Sequence, residues 1–552
     1  MDTKNYKKTT LLIGIAGSNN AFSLSLYNLK AYALNDPQIK ELWDFPVIQH
    51  PLINVSTVRS LARKKLKALI DNILQVKPDL LVFSCYMWNV LVFKEIAKEI
   101  KAQLPSTPIL WGGPEMARDY LLEGKYDAYD ADFCISGEGE LTFLELLKNL
   151  TCGTPDLSKI PGLSFRKDRQ GPFCVNEKRN PFKSLAEIPS PFLSGCVDDE
   201  VLARSGVEAN LETQRGCTLR CSYCIYHKDM SNISYSSIQR IIDEVRYVCE
   251  RGVRRLRFVD ANFASDLDHA KAVMRALIKE NIEAKIMFEL IPGFIDEELA
   301  SLFGGFNDLY EWNQITIGIG VQTINLDILR KLKRGIRLEK FEKTFDLLEN
   351  YGIHSKIDLI IGLPGEDIGS IEKTLEYFLD RLRNSSAHLL CCHVMRGLPG
   401  TELLNMAKEH QMVFSSKKEP HEFIESPILP RKDMLRCLRR TAVIFRLVNH
   451  EGWAGTEFVR GETSQDTSIR NCFFSTRDRL GVSNVELIDI LIDRLMPYLQ
   501  EKHSCFSEDD FPYAETWWWV WSKREIPHDW LVECLNNLTL TEGKQTVIKK
   551  LK

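Results

Sequence analysis

Three cysteines stand together in the segment QRGCTLRCSYCIYHK, which places Cys217, Cys221 and Cys224 at CxxxCxxC spacing. Three thiolates can each hold one iron of a cubane cluster and leave the fourth iron open to another ligand, whereas an electron-transfer cluster takes four protein thiolates. An open iron implies chemistry at that iron. The competing chemistry is a structural zinc, for which CSYCIYH offers His227 as the fourth tetrahedral ligand. The preceding stretch, ANLETQRG, reads as a strand, so the thiols fall in a strand-to-loop context.

A second set of phrases lies earlier in the chain: AGSNN at 16–20, SCYMWN at 84–89, GGPE at 112–115 and GEGE at 137–140. Each follows a strand-like run, and ligands of parallel sheets bind at the carboxyl ends of strands. Glycine loops let the backbone approach a large flat or phosphorylated ligand, and the helices that follow offer unpaired N–H groups. The candidates are Ser84, Tyr86, Trp88, Asn89, Gly112, Gly113, Gly137, Glu138 and Gly139. Singly, each phrase is equally a tight turn.

The elements that must position these residues follow from the hydrophobic pattern. LLIGIAG, DLLVFS, PILWGG and FCISG alternate with helical stretches such as VLVFKEIAKEIKAQL, predicting a doubly wound α/β domain over residues 1–155. Residues 156–204 are rich in Pro, Gly and Asn and read as a linker with a β-hairpin. A second alternation over 205–425 (RRLRFVD, AKIMFEL, QITIGIGV, KIDLIIG, HLLCCHV) adds five strands to the one before Cys217, predicting a partial β/α barrel of six strands. Beyond about 425 the strands give way to a mainly helical domain, 426–552. That domain carries tryptophans at 517, 518, 519, 521 and 530, a packing cluster or an aromatic substrate wall.

With these elements in place, CxxxCxxC with Tyr223 before its last cysteine resembles the radical S-adenosylmethionine superfamily. SxYxWN, GGPE and GEGE in that order ahead of it are similar to the cobalamin-binding class of that superfamily, over roughly residues 10–405. The resemblance implies a 4Fe–4S cluster on Cys217, Cys221 and Cys224 whose open iron chelates S-adenosylmethionine, and cobalamin edge-on at the glycine loops. It implies cofactor contacts for Tyr223, Asp260 in FVDANFASD, Glu289 in FEL, Gln322 in IGVQT, and Gly362 and Gly365 in GLPGE. Arg396 and the PGT at 399–401 match the same pattern. Each of these residues has a plain alternative as a cap, a turn or a surface charge. No DxHxxG appears near the first strand, so cobalt would have no histidine below it, and Trp88 or Tyr86 would cover that face unless both simply pack on the sheet.

The activity so implied is C-methylation of an unactivated carbon through methylcobalamin and a 5′-deoxyadenosyl radical, with an external flavodoxin- or ferredoxin-like electron donor. A non-methylating rearrangement or cyclisation using cobalamin is the alternative, and a cofactor sensor without turnover the remote one. The substrate, a small molecule or a peptide, is named by no motif, and no catalytic side chain is assigned.

Composition bounds the rest. The 552 residues call for several cores. The 71 lysines and arginines nearly balance 75 acidic residues, a net charge of −4 that recruits neither nucleic acid nor an anionic membrane. No run reaches the roughly 18 apolar residues of a membrane span. Fifteen cysteines, an odd number, suit reduced thiols and a cytoplasmic location. No Walker loop, HExxH or Ser–His–Asp signature is present.

Overall fold

The computed structural model describes residues 7–17, 20–51, 59–152, 155–169, 171–226, 232–310, 314–383, 385, 388–415, 421–448, 453–454, 457–458, 463–502 and 528–539. His227 and the tryptophans at 517–521 lie outside these residues. The chain forms two compact units, Met1–Glu289 with Gly305–Ile315 and Leu398–Leu404, and Leu290–Gly304 with Thr316–Gly397 and Asn405–Lys552.

In the first unit, strands β1 (Lys8–Ile15), β2 (Trp43–Asp44), β3 (Val47–His50), β4 (Leu80–Ser84), β5 (Ile109–Gly112) and β6 (Phe133–Ile135) form a parallel sheet. Strand β4, LLVFS, is buried throughout, as a strand covered on both faces must be. One face packs against helices Arg59–Val76 and Val90–Gln103, where Phe83 stacks on Phe93 at 4.4 Å and meets Trp111 edge-on. The helix Val90–Gln103 supplies Phe93, Ile96, Ala97 and Ile100, one stripe of its 3.6-residue period. The other face carries Leu12, Val82 and Leu110 under Leu26, Phe143 and Leu146 of helices Leu24–Leu34 and Glu140–Thr151. Each such fully buried side chain contributes about 1.5–3 kcal/mol.

The segment expected as a linker does more than connect. Its hairpin, β7 (Leu163–Arg166) and β8 (Phe173–Val175), pairs antiparallel onto β6 and extends the sheet. The short β2 and β3 escape a periodicity reading because two to four residues hold too little alternation. The unit continues with β9 (Glu208–Leu211), the two-residue β10 (Gln214–Arg215) paired antiparallel with β11 (Ser234–Tyr235), and β12 (Arg255–Phe258), which lies parallel between β9 and β13 (Lys285–Leu290).

In the second unit, β14 (Ile315–Gln322), β15 (His354–Ile361) and β16 (His388–Val394) are parallel neighbours. The six strands expected of the barrel thus divide three and three. Strand β15 alternates strictly, burying Ser355, Ile357, Leu359 and Ile361 on one side. That side faces the helices, where His388 bonds Ser355 at 2.8 Å, meets Phe345 edge-on and has its basicity lowered to about 4 by burial. A short antiparallel pair follows, β17 (Val413–Phe414) with β18 (Phe423–Glu425). The C-terminal region is helical over Arg431–Val448, Thr463–Leu480, Asn484–Lys502 and His528–Asn536, with one antiparallel pair of two-residue strands, Trp453–Ala454 and Glu457–Phe458, that the strand-free expectation for this region missed.

Candidate cofactor site

The carboxyl ends of β1, β4, β5 and β6 open into a cavity of about 570 Å³. Asn89 builds one wall: its side chain accepts the Tyr86 N–H at 2.8 Å and donates to the carbonyls of Ile15 and Ser84, both at 3.0 Å. Asparagine can do this because its amide carries acceptor and donors together. The loop so pinned stacks Tyr86 on Trp88, with centroids 4.4 Å apart and planes 11° apart, and Trp88 Nε1 donates to the Ile15 carbonyl at 3.1 Å. Both rings line the cavity, and Trp88 is 40% exposed. The Ser84 hydroxyl sits 2.9 Å from that of Ser25.

Two glycine turns also border the cavity. Gly113 has a φ of +100°, and a Cβ there would stand 2.6 Å from the Cys85 carbonyl, so no other residue fits. Gly137 has a φ of +86° and opens the GEGE turn, whose Gly139 precedes helix Glu140–Thr151. Gly112 and all of Gly137–Glu140 line the cavity. Glu138 leaves the turn for Arg215, 2.9 Å away, and accepts the Phe182 N–H at 2.6 Å. Burial raises its carboxyl above the usual range despite the guanidinium.

The same cavity is bounded by Asn210, Glu212, Arg215, Ile225, Tyr226 and Val259, residues of the strands and loop around the cysteine triplet. There the chain leaves β10 through Gly216, whose φ is +103° and where a Cβ would stand 2.8 Å from the Asn232 carbonyl, so a side chain is excluded. Cys221 is buried, Cys217 and Cys224 are half-buried, and none is in a disulfide. The loop is a tight turn: the Cys224 N–H reaches the Cys221 carbonyl at 3.0 Å, and the Tyr226 N–H points to the Cys224 sulfur at 3.4 Å. Tyr226 then anchors to the Val259 carbonyl at 2.7 Å, and the Leu403 N–H, just past PGT, holds the Ser222 carbonyl at 2.8 Å. Tyr223, inside the turn, is half-buried.

Among the described residues no three His, Cys, Asp or Glu side chains converge as the ligands of a single metal ion would. A cubane cluster does not require that, since each thiolate takes a different iron. Three thiols outside any disulfide on one loop suit such a cluster, and the glycine turns with an aromatic wall suit a broad flat macrocycle.

Asp260 is fully engaged with the lead-in to this loop. Its carboxylate accepts the N–H of Thr213 at 2.9 Å, the Thr213 hydroxyl at 2.6 Å and the Gln214 N–H at 3.0 Å, and burial pushes it up to about 7. Glu289 pairs with Arg257 at 2.9 Å, and its carbonyl accepts the Phe263 N–H.

In the second unit, Gln322 ends β14 at a bulge, with φ at +73°, and is buried. Gly362 and Gly365 both take left-handed φ, +86° and +83°, in the turn after β15. Their turn is closed by Glu366, buried, which accepts the N–H groups of Gly362 at 3.2 Å and Leu363 at 3.3 Å. Arg396 is no loose surface cation: it pairs with the buried Glu422 at 3.3 Å. Arg215 and Glu366 are the functional candidates that sequence reasoning passed over. Both sit inside quoted motifs, QRGC and GLPGE, but their partners are set by the fold.

Residues 53–147 match the B12 binding domain and residues 211–378 the Radical SAM superfamily. The chain is 28% identical over 368 residues to the cobalamin-dependent radical SAM methyltransferase TokK of Streptomyces tokunonensis, covering 64% of this chain and 50% of that one. It is 28% identical over 354 residues to the 2-(S-pantetheinyl)-carbapenam-3-carboxylate methyltransferase of Streptantibioticus cattleyicolor, covering 61% and 48%. The chain thus spans about half the length of these curated relatives. Its fold is similar to that of the cobalamin-dependent S-adenosylmethionine radical enzyme OxsB with aqua-cobalamin bound, at a TM-score of 0.64 and 14% identity over 99% of this chain and 80% of that one. The chain thus carries both a B12 binding domain and a Radical SAM domain, and it is similar to the cobalamin-dependent radical S-adenosylmethionine enzymes.

Proposed function

We propose that the protein is a C-methyltransferase acting on an unactivated carbon of a small molecule or peptide. The observation that carries this reading is the single cavity lined both by the Trp88 and GEGE loops and by Tyr226, Ile225 and Val259 next to the cysteine turn. When bound, cobalamin supplies a transferable methyl group, and the cluster with S-adenosylmethionine supplies a radical that removes a substrate hydrogen.

The chain's own residues hold and orient. Cys217, Cys221 and Cys224 would hold three irons of the cluster, and the Tyr226 N–H donated to the Cys224 sulfur would steady that thiolate. Ser84, Asn89 and the glycines at 112, 113, 137 and 139 would let the backbone come close to a bound corrinoid, and Trp88, with Tyr86 stacked on it, would pack against it. Asp260 positions the strand entering the cysteine turn; the contacts proposed for S-adenosylmethionine are Tyr223 and Glu289 in the first unit and Gln322, Gly362 and Gly365 in the second.

The single electron for the cluster comes from an external flavodoxin- or ferredoxin-like protein. No described helix is long and apolar enough to cross a membrane; the setting proposed is a reducing, cytoplasmic one, in keeping with described cysteines that stand outside any disulfide. The domain division proposed is 1–155, 156–204, 205–425 and 426–552.

The test is anaerobic reconstitution with iron, sulfide and hydroxocobalamin, then reduction in the presence of methyl-labelled S-adenosylmethionine. Label on the corrinoid together with S-adenosylhomocysteine is expected. Bound corrinoid that never acquires label would overturn methylation, and zinc in place of iron would overturn the cluster.

A further inference from the structure

Arg215 stands two residues before the first cysteine of the triplet, at the end of β10, and its guanidinium is almost wholly buried. All three of its nitrogens are committed. Nε donates to Glu212 at 2.9 Å, Nη1 to Glu138 at 2.9 Å and Nη2 to Glu140 at 2.8 Å. Glu138 and Glu140 belong to the GEGE turn, 77 and 75 positions away in sequence, and Glu212 to the loop between β9 and β10. A planar fork with fixed donor directions cannot follow one carboxylate without dragging the others.

The two ends of this fork answer to different cofactor sites. Glu138, Glu140, Glu212 and Arg215 all line the cavity, so a ligand seated there touches the fork directly. On the other side, the backbone of the β10 lead-in is clamped by Asp260 at Thr213 and Gln214, and the chain turns through a left-handed Gly216 into Cys217. Displacement of Arg215 therefore has little slack before it reaches the first thiol. Three carboxylates face one guanidinium here, and losing that cation would leave like charges buried side by side.

We infer that Arg215 is a positioning residue that couples the two cofactor sites, so that corrinoid in the cavity and the cluster on the cysteine turn strengthen each other's binding. The inference rests on the proposed function for the identity of the two cofactors. Coupling of this kind is reciprocal: whatever factor the cluster adds to corrinoid affinity, corrinoid adds to cluster retention.

The experiment titrates hydroxocobalamin, followed by its absorption, into the full-length protein with and without reconstituted cluster. Wild type is expected to bind about tenfold more tightly when the cluster is present. Arg215→Gln is expected to bind with one affinity in both states, and its iron is lost to a chelator at a rate that hydroxocobalamin no longer slows. Glu212→Gln, which removes one arm and keeps the guanidinium, guards against a variant that fails to fold and is expected to show a reduced ratio. Equal affinities in wild type, or a ratio that survives in both variants, would overturn the coupling while leaving the proposed function standing. Failure of wild type to bind hydroxocobalamin in either state would overturn both.

Discussion

The Asp260 carboxylate holds Thr213 twice, at its backbone N–H (2.9 Å) and at its hydroxyl (2.6 Å), and takes the Gln214 N–H besides. A residue at the end of β12 thereby sets the path of the chain as it enters the cysteine turn. Removing it leaves three donors without an acceptor in a buried place, and each such orphan costs about 1–3 kcal/mol. Asp260→Ala is expected to lose more than half of its reconstituted iron and Asp260→Asn a smaller share, measured by iron and sulfide analysis. Full iron in the alanine variant would show that the cysteine turn needs no such fastening.

Glu366 predicts a pH dependence. Burial pushes its carboxyl from 4.5 to about 8, outweighing the N–H groups of Leu363 and Gly362 that favour the charged form. The unfolded chain releases this proton near 4.5 and the folded chain only near 8, so the native state binds the extra proton between those values and stability falls as pH rises through them. Glutamine mimics the protonated acid and does not titrate. Glu366→Gln is expected to match wild type near pH 5 and to be the more stable by about 2–5 kcal/mol at pH 9, by urea unfolding at the two pH values. An equal difference at both would remove ionisation as the cause.

Gly362 tests the turn that Glu366 closes. Its φ of +86° disfavours any side chain, and the ring of Phe423 stands where a Cβ would go. Gly362→Ala is expected to lose about 2–4 kcal/mol, part backbone strain and part overlap. Combining it with Phe423→Ala relieves only the overlap, so the double variant should be more stable than the two single losses summed; strict additivity in a double-mutant cycle would refute the clash.

Trp88 is an exposed aromatic of the cavity wall. Its truncation to alanine is expected to weaken hydroxocobalamin binding about tenfold, the equivalent of about 1.4 kcal/mol, while Trp88→Phe retains most of the affinity. Unchanged affinity in Trp88→Ala would return the residue to a packing role.

By itself the sequence determined the parts whose signal is local. CxxxCxxC is legible because cluster ligation by one turn constrains neighbouring residues, and the glycine phrases are legible because left-handed backbone at Gly113 and Gly137 admits little else. The alternation of strands and helices was legible for the same reason, since a strand covered on both faces must be apolar throughout, as β4 is. Tertiary structure alone decided who meets whom. That Asp260 faces Thr213, that Arg215 gathers carboxylates from 75 and 77 positions away, and that strands Leu163–Arg166 and Phe173–Val175 extend the first sheet depend on how distant segments pack. Pairing energies of this kind leave no periodic trace in a chain: they arise only when burial removes water and forces each charge to find its partner.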